Sequence, residues 1–489
     1  MSQDLIQRTA RKIAVDYCRL SIVRNPDGFL AREEVMRALR EECGLQVVAD
    51  TNLQLRIHYE LVYKASSEEE RFVYLCNDTE SLVPDMTADA HMTEFDVADL
   101  FPLFADKSAL GGLDLETLEI IDQKVGLRRL DYMACTRLVD EARHETEQRQ
   151  QQSADSLLAS LNNLSIDWSG NATQGMMALS RLMIDAIRFG IYKQVDEGIR
   201  ALNRDFQRWV DESYFAMLNS NTLLRPKSVN NILPHLGENY GNDDSLALIV
   251  VDGLSFWQYA VLSDYLHHEG IPTTDATTLA WIPTITMLSR QAIFRGSSPL
   301  QDYKQNPVNE RRLWQDYWQQ RGVPGFAIQY LSDSDEFAVN EGVRRLAYVT
   351  VEMDEKMHSS TDYRDLLSLT ENWCPRIAEK IETLRRMGYR IFLTTDHGSV
   401  LSHGWQPISS VEKVFLYKDG SRGKRHLIYN ELAHKEDFLR HHSGEVDLLS
   451  RDNWLAARTD FCFAREGQQI ITHGGCHLWE VVIPFVTIG

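Results

Sequence analysis

Aspartate and histidine side chains follow three apolar segments of the sequence at the points where those segments end. The segment "LALIVV" is followed by Asp252, "LAYVTVEM" by Asp354 and then His358, and "RIFLTT" by Asp396 and His397. A fourth segment, "ITHGGCHLWEVVIPF", supplies His473 before a final apolar stretch. Aspartate and glycine after a strand are also common in turns, so each position alone is open to a structural interpretation. Carboxylates and neutral imidazoles together suit zinc and related divalent ions, whereas calcium prefers oxygen ligands.

The shared position of these residues at the ends of apolar segments favours the metal interpretation. Unbroken apolar segments that alternate with helical ones indicate a parallel sheet covered on both faces. In open sheets of this class, ligands bind beyond the carboxyl ends of the strands. We therefore expect the four segments to meet at one edge of a sheet, with their Asp and His side chains forming a divalent metal site.

A candidate nucleophile lies at the start of a predicted helix in "AWIPTITMLSRQAIFRG", Ala280 to Gly296. Pro283 favours an extended chain, and apolar residues at helical spacing follow Thr286. The structural interpretation of Thr286 is a helix N-cap. The chemical one is a hydroxyl beside an anion-binding helix N-terminus, activated by a nearby metal. Arg290 and Arg295 on the same helix either steady a phosphate or lie at the surface.

The remaining histidines of the C-terminal half do not share this position. Five of them are predicted to lie at the solvated surface: His403, His426, His434, His441 and His442. His477 begins the last apolar segment close to His473 and is a candidate to support a metal ligand.

Charge and cysteine usage limit the classes of function. The 489 residues carry a formal net charge of −20, so tight binding of long duplex DNA by this chain alone is not expected. The seven cysteines are scattered, without a C-x-x-C pair, which favours a reducing cytoplasm over a disulfide framework. No apolar run approaches the ~18 residues that span a bilayer, and the N-terminus has no apolar signal-peptide core. We therefore expect a cytoplasmic protein without membrane association.

Three stretches of different texture divide the chain. Residues 1–125 mix helical spacing ("AREEVMRALREEC") with strand-like segments ("RFVYLCND"), which predicts an N-terminal α/β domain. Residues 126–240 are predicted to form a mostly helical linker domain. Residues 241–489 carry the strand–helix alternation of a doubly wound, mainly parallel sheet. Within them, residues 297–345 have few strand signals and are predicted to form a cap or insertion near the entrance to the site.

The order of the motifs resembles that of the alkaline phosphatase superfamily. Asp252 is followed by a P-T-x-T segment with glycine ten residues after Thr286, by D-x-x-x-H at Asp354, and by Asp396–His397. The P-T-x-T frame is similar to that of the nucleotide pyrophosphatase/phosphodiesterase branch. "THGG" followed by the glutamate-bearing "LWEVVIPFVTI" resembles the PglZ domain more closely, over residues 243–489. That family includes the phosphatase-like component of BREX phage-defence systems and the effector domain of PorX-type response regulators.

The resemblance implies a catalytic domain with an alkaline-phosphatase-like fold and two metal sites. One site would consist of Asp252, Thr286, Asp396 and His397, and the other of Asp354, His358 and His473. Two Zn²⁺ ions per chain are expected, with Mn²⁺ or another divalent ion as a substitute. Three carboxylates and a threonine alkoxide would balance the charge of the two ions. Thr286 is preferred to Thr284 as the nucleophile because its distance to Gly296 matches the diesterase frame.

The resemblance also implies hydrolysis of a phosphodiester, with a nucleotide or oligonucleotide as substrate, in anti-phage defence alongside other defence-system proteins. Phe256, Trp257 and Trp281 flank the site in sequence and would either stack a nucleobase or pack in the core. The alternative to an enzyme is a catalytically silent or weakly active, metal-stabilised scaffold of a defence complex. The N-terminal domain and the helical region favour partner contacts, and a fold does not determine function.

Overall fold

The computed structural model describes residues 3–78, 82–88, 90–218, 225–300, 302–417 and 424–489. The chain separates into two compact units, Met1–Ser153 and Ala154–Gly489. This boundary lies inside the predicted helical region, and the three-domain division at residues 125 and 240 stays a prediction. Among the described helices, none combines the length and the hydropathy needed to cross a bilayer.

The N-terminal unit is built on a parallel sheet. Its strands are β1 (Leu20–Arg24), β2 (Leu45–Ala49), β3 (Arg71–Leu75) and β4 (His91–Glu94), and its helices are α1 (Gln3–Ile13), α2 (Glu33–Cys43), α3 (Asn52–Leu61), α4 (Pro84–Thr87) and α5 (Leu115–Lys124). The strands pair in parallel in the order β2-β3-β1-β4. Along β3, Val73 packs into one apolar cluster while Phe72 and Tyr74 pack into another, so both faces of the sheet are covered. The predicted N-terminal α/β architecture is confirmed.

The middle of the chain is helical, as predicted. It contains α6 (Tyr132–Asn162), in which the boundary between the units falls, followed by α7 (Thr173–Arg188), α8 (Tyr192–Trp209), α9 (Phe215–Met217) and α10 (Ile232–Asn239). The buried positions of α8 show why this segment is a helix: Val195, Ile199, Leu202, Phe206 and Trp209 recur every three or four residues and form one apolar face.

Strands and helices alternate through the rest of the chain. The strands are β5 (Leu246–Val251), β6 (Thr273–Leu279), β7 (Ile328–Ser332), β8 (Arg345–Thr350), β9 (Arg390–Thr394), β10 (Val400–Gly404), β11 (His426–Ile428), β12 (Leu448–Arg451), β13 (Trp454–Ala457), β14 (Phe461–Cys462), β15 (Gln469–Thr472) and β16 (Val482–Ile488). The helices are α11 (Phe256–His268), α12 (Thr286–Arg295), α13 (Pro307–Gln320), α14 (Glu352–Ser359), α15 (Tyr363–Arg386), α16 (Ser410–Lys413), α17 (Leu432–His441) and α18 (Leu478–Val481).

A six-stranded sheet in the order β6-β16-β9-β5-β8-β7 forms the centre of this unit. Strand β16 pairs antiparallel with both β6 and β9, and the other pairs of this sheet are parallel. Every residue of β5 is buried. Ala247, Ile249 and Val251 pack into the cluster that contains α7, α8, α11 and α15, whereas the alternate residues of β5 pack with α10, α12 and α13. The predicted doubly wound, mainly parallel sheet is confirmed.

The segment 297–345 takes part in the sheet as well as in its covering. It contributes α13 and the edge strand β7, which pairs with β8. An edge strand forms backbone hydrogen bonds with a neighbouring strand on one side only. The short segment "IQYLS" can therefore form this strand without a long apolar pattern. Two smaller sheets, β14-β10-β15 and β11-β13-β12, follow later in the described chain. Strand β15 of the first of these sheets ends at the residue before His473.

Candidate metal centre and active site

The predicted ligands lie where the strands of the large sheet end. Asp252 follows β5 directly, and Asp396 comes two residues after β9. Asp354 lies in the first turn of α14, which begins two residues after β8. Because β5, β8 and β9 are parallel neighbours, these three carboxylates reach the same edge.

The seven predicted ligands include two tight groups of acidic and imidazole side chains. The Asp252 group consists of Asp252, Asp396 and His397, and the Asp354 group consists of Asp354, His358 and His473. In each group, one ligand atom from every member lies within 4.8 Å of the others. The membership of the two groups matches the two predicted metal sites, apart from Thr286.

The Asp252 group is buried, and its polar atoms are oriented by backbone N–H groups. Oδ1 of Asp396 accepts from the N–H of Gly253 at 3.2 Å and from that of His397 at 3.0 Å. Nδ1 of His397 lies 3.2 Å from the carbonyl of Gly398, so in the neutral ring it donates there and leaves Nε2 free to bind a cation. This Nε2 lies 3.6 Å from a carboxylate oxygen of Asp252 and 3.6 Å from one of Asp396.

Gly398 explains the run of Asp, His and Gly after β9. Its N–H donates to the carbonyl of Glu480 at 3.0 Å, and a Cβ at this position would lie 2.0 Å from the carbonyl oxygen of Trp479. The chain therefore passes too close to α18 for any side chain. This contact fixes the turn that carries Asp396 and His397.

The Asp354 group is more open to solvent. The side chain of His358 is 49% exposed, compared with 15% for His473. Nδ1 of His473 donates to the carbonyl of Thr284 at 2.8 Å, which leaves its Nε2 3.8 Å from Oδ1 of Asp354. Nε2 of His358 lies 3.5 Å from the other oxygen of the same carboxylate.

The two groups are adjacent, because one histidine of each stacks on the other. The rings of His397 and His473 lie with centroids 3.8 Å apart and planes 10° from parallel. Burial and the neighbouring His397 ring lower the pKa of His473. Burial, reinforced by the Asp252 carboxylate, raises the pKa of Asp396 well above its ordinary value. A neutral imidazole and crowded buried carboxylates are the setting in which a divalent cation is favourable.

Three carboxylate oxygens test whether metal ions fit these groups. Oδ1 of Asp252, Oδ1 of Asp354 and Oδ2 of Asp396 are buried and have no hydrogen-bond partner among the described residues. Buried carboxylate oxygens without partners are costly, and a coordinated cation would satisfy them. The residues present therefore fit two divalent ions, although nothing in the donor set selects Zn²⁺ over Mn²⁺.

Thr286 and Thr284 occupy different environments. Thr286 is the first residue of α12, and its hydroxyl lies 3.1 Å from Nε2 of His397, beside the Asp252 group. Thr284 is fully buried, and its hydroxyl donates to the carbonyl of Gly475 at 2.9 Å. The geometry thus supports the preference for Thr286 as the reacting hydroxyl.

Arg290 is buried beside the Asp252 group, whereas Arg295 lies at the end of α12 and donates to the carbonyl of Ser298. The Arg290 guanidinium donates to Asp252 at 2.5 Å and to Glu310 at 2.7 Å. Burial alone would lower the pKa of Arg290, but the two carboxylates outweigh it and keep the pKa above its ordinary value. Its charge is therefore already paired inside the protein.

The structure decides between the two alternatives for the neighbouring aromatic rings, and it shows that the surface prediction for His426 is wrong. Phe256 and Trp257 are completely buried in the core between α11 and its neighbours, so neither ring is available to a nucleobase; Trp281 is half-buried against the opposite face of the sheet. His426, predicted at the surface, is buried on β11. His477 is buried too, but its side chain caps α18 by accepting from the N–H of Trp479.

Other polar residues of the site region were not predicted. Glu310 on α13 and the buried pair Arg425–Glu480 all contact residues of the motifs. Glu480 could have been identified from the sequence, because it is a lone charge next to the apolar run "VVIPFVTI". Glu310 could not, because "NERRLW" has the charge pattern of a surface helix.

Comparisons with known proteins found one matching family model and several solved structures of low sequence identity. A protein-family model described as the BREX system PglZ alkaline phosphatase-like domain matches residues 237–488. No curated protein matches the chain. Among solved structures, murine ectonucleotide pyrophosphatase/phosphodiesterase 5 is 11% identical with a TM-score of 0.35, covering 50% of this chain and 88% of its own. Phosphonoacetate hydrolase from Sinorhizobium meliloti 1021 is 13% identical with a TM-score of 0.35, covering 50% and 89%. Since the family model spans more than half of the 489 residues, the chain belongs to the PglZ family, whose alkaline phosphatase-like domain forms residues 237–488.

Proposed function

We propose that this PglZ protein is a metal-dependent phosphodiesterase in which Thr286 attacks a phosphodiester of a nucleotide or oligonucleotide. The observation that carries the proposal is the position of the Thr286 hydroxyl, 3.1 Å from Nε2 of His397 at the N-terminus of α12. A hydroxyl placed among metal-ligand side chains and beside a helix N-terminus combines a nucleophile with an anion-binding element.

Two divalent ions are proposed, one on the Asp252 group together with Thr286 and one on the Asp354 group. Zn²⁺ is the proposed ion, with Mn²⁺ as a substitute, because carboxylate and imidazole ligands discriminate weakly between them. Such ions would lower the pKa of the Thr286 hydroxyl and offset the charge of the phosphate.

The protein's own residues account for the remaining parts of the reaction. Oγ of Thr286 loses its proton and forms a bond to phosphorus, while the bond from phosphorus to the ester oxygen on the opposite side breaks and that oxygen takes up a proton and leaves as an alcohol. Water then attacks phosphorus, the bond between Oγ and phosphorus breaks, and a proton of that water returns to the Thr286 hydroxyl. The N–H groups in the first turn of α12 favour the anionic phosphate next to Thr286 throughout.

The pairing of Arg290 supports a diester over a monoester. A monoester dianion needs additional cationic groups beside the metal ions, whereas a diester carries one negative charge. The guanidinium of Arg290 is already bound to Asp252 and Glu310, both almost completely buried, so its charge is neutralised before substrate arrives. The net charge of −20 further favours short substrates over long duplex DNA.

The family membership supports a role in anti-phage defence, together with other proteins of a BREX system. None of the seven cysteines, all of which lie in the described part of the chain, forms a disulfide, which supports a reducing, cytoplasmic setting. The rival proposal, a metal-stabilised scaffold, makes a different prediction in cells. Full protection against phage by a Thr286→Ala protein would support the scaffold, and loss of protection would support the enzyme.

The decisive experiment compares bis-p-nitrophenyl phosphate with p-nitrophenyl phosphate as substrates of the purified chain supplied with Zn²⁺ or Mn²⁺. We expect preference for the diester, and a loss of about three orders of magnitude or more in turnover for Thr286→Ala. Elemental analysis should find about two metal ions per chain in both proteins, because the Asp252 and Asp354 groups remain intact.

A surface threonine provides the control. Thr383→Ala on α15 should retain full turnover, since its hydroxyl only bonds to a carbonyl of its own helix. Preference for the monoester would overturn the diester assignment. Unchanged turnover in Thr286→Ala, or a metal-free wild type, would overturn the proposed mechanism itself.

A further inference from the structure

Thr284, the first threonine of the P-T-x-T segment, is fully buried and bonded to the loop that follows β15. Its hydroxyl donates to the carbonyl of Gly475 at 2.9 Å and accepts from the N–H of Gly474 at 3.1 Å. Its backbone N–H donates to the same Gly475 carbonyl at 3.2 Å. One residue therefore joins two segments that are far apart in the sequence.

Both segments carry proposed catalytic parts. The carbonyl of Thr284 accepts from Nδ1 of His473 at 2.8 Å, which sets the ring orientation and leaves Nε2 for a metal. Thr286 lies only two residues along the chain, at the start of α12. A shift of Thr284 would consequently move a metal ligand and the nucleophile together. Partners of this kind, which bind the second nitrogen of a ligand histidine, typically change metal affinity 10–100-fold when removed.

Glu480 holds the same loop from the opposite side. It is fully buried, and its carboxylate accepts from the N–H of Gly475 at 2.8 Å and from that of His477 at 3.0 Å. The hydroxyl of Thr284 lies 3.3 Å from the same carboxylate. A Cβ on Gly475 would lie 2.8 Å from Glu480 and 2.5 Å from the carbonyl of Ala457, so only glycine fits between them.

Arg425 completes this arrangement. Its guanidinium donates to Glu480 through Nε at 3.0 Å and through a terminal nitrogen at 2.9 Å. The remaining donors reach the hydroxyl of Ser402 on β10 and the carbonyl of Thr459. Buried ion pairs add little net stability compared with apolar packing. The single pair Arg425–Glu480 holds the loop that presents His473, which points to orientation of that loop rather than to general stability.

We propose that Thr284, held by the Glu480–Arg425 pair, is a positioning residue that fixes the metal ligand His473 relative to the nucleophile Thr286. This inference rests on the proposed function and extends it, because it gives the two threonines of the P-T-x-T segment separate roles. Thr286 reacts, and Thr284 sets the geometry of the second metal site.

Metal affinity distinguishes the proposed roles of the two threonines. Thr284→Val removes the hydroxyl at nearly constant volume. The affinity of the protein for one of the two metal ions should fall about 10–100-fold, while the affinity for the other ion stays at the wild-type value. Competition with a chromophoric chelator measures both affinities. Thr284→Ser, which retains the hydroxyl, should bind both ions as the wild type does. Thr286→Ala should lose turnover but keep both ions.

Thr370→Val is the matched control. Thr370 is also completely buried, and its hydroxyl likewise donates to a carbonyl, that of Leu366, and accepts an N–H, that of Gln258. It lies on α15 and bonds to Leu366 and Gln258 rather than to a member of either metal group, so its loss should lower stability and leave both metal affinities unchanged. In a His473→Ala background, Thr284→Val should have no further effect on metal binding, because the ligand it positions is already gone.

Each outcome decides the proposal. Two wild-type affinities in Thr284→Val, or the same selective loss in Thr370→Val, would overturn the positioning role while leaving the proposed function intact. A wild type that binds no metal would overturn both. If Thr284→Val does not fold, Glu480→Asp takes its place, since withdrawing the carboxylate from Gly475 should produce the same selective loss.

Discussion

Glu480 keeps a negative charge where no solvent reaches it. Burial opposes ionisation of this carboxyl, but the Arg425 guanidinium and the N–H of Gly475 outweigh burial and hold the pKa of Glu480 below its ordinary value. The charged form therefore belongs to the folded protein at neutral pH. Because the unfolded chain binds this proton more readily, acidification removes the stability that the charge contributes.

Glu480→Gln should therefore change how stability depends on pH. The wild type should exceed the variant most above the ordinary glutamate value of 4.5, and the difference should shrink as pH falls towards the lowered pKa of the folded state. The slope of that difference should approach about 1.4 kcal/mol per pH unit. Urea unfolding of the metal-free protein between about pH 3 and 6 measures it.

Exposed Glu466→Gln provides the comparison, with a difference from wild type that stays flat across the same range. A flat difference for Glu480→Gln as well would show that the Glu480 charge is not coupled to folding.

The meeting of the candidate metal ligands at one sheet edge could be predicted from the sequence, because a strand end is a local feature. Asp252 and Asp396 each follow an apolar run whose carboxyl end must reach the ligand-binding edge of a parallel sheet. The role of Thr284 could not, since it depends on the approach of a loop almost two hundred residues away. The sequence left two interpretations of Phe256 and Trp257 open, nucleobase stacking and core packing. Because α11 packs against α7 and α15, both rings lie in the core.

A buried polar network connects α12 to α13 and β7. Arg290 of α12 binds Glu310 of α13, which also accepts from the hydroxyl of Tyr330 on β7. The same guanidinium binds Asp252 after β5. Glu310, which is completely buried, thus links α12, α13 and β7 directly, and Asp252 through Arg290.

Glu310→Ala should destabilise the C-terminal unit strongly. Glu310→Ala leaves Nε of Arg290 and the hydroxyl of Tyr330 buried without their acceptor, and breaking a buried ion pair typically costs about 3–5 kcal/mol. The apparent Tm of the metal-free protein should fall by at least about 5 °C. Exposed Glu341→Ala, from the same segment of the chain, should stay within ~0.5 kcal/mol of the wild type. Equal Tm values for the two variants would contradict the structural role assigned to this network.

The strands differ in how far their roles could be predicted. The central strands β5, β8 and β9 have unbroken apolar patterns, while the edge strand β6 is the threonine-rich "TTDATTL" and gave no clear pattern. The apolar pattern of β16 does not predict whether this strand runs parallel or antiparallel to its neighbours. Its direction follows from connectivity: His473 lies at the edge where β5 and β9 end, and a parallel return would need a crossover of a dozen or more residues. The eight residues between His473 and β16 allow only an antiparallel strand.

Tryptophan positions distinguish the two units in solution. All ten tryptophans lie between Trp168 and Trp479, so Met1–Ser153 contains none. Every proposed metal ligand also belongs to Ala154–Gly489. Tryptophan fluorescence therefore reports on the unit with the proposed metal sites, while far-ultraviolet circular dichroism reports on both units.

Removal of metal by EDTA should destabilise the fluorescence-monitored transition selectively. An ion that binds only the folded state stabilises it by about 4 kcal/mol when its free concentration is a thousand times its Kd. Chelation should lower the unfolding midpoint seen by fluorescence, and added Zn²⁺ should restore it. The double variant Asp396→Ala/His397→Ala, which lacks two ligands of the Asp252 group, should begin with a lower midpoint and respond less to EDTA. A shift seen by circular dichroism without one in fluorescence would place the metal in Met1–Ser153. Ions held by Asp252 and Asp354 would satisfy oxygens that have no hydrogen-bond partner among the described residues, so an unchanged midpoint would mean that the fold tolerates those buried charges unaided.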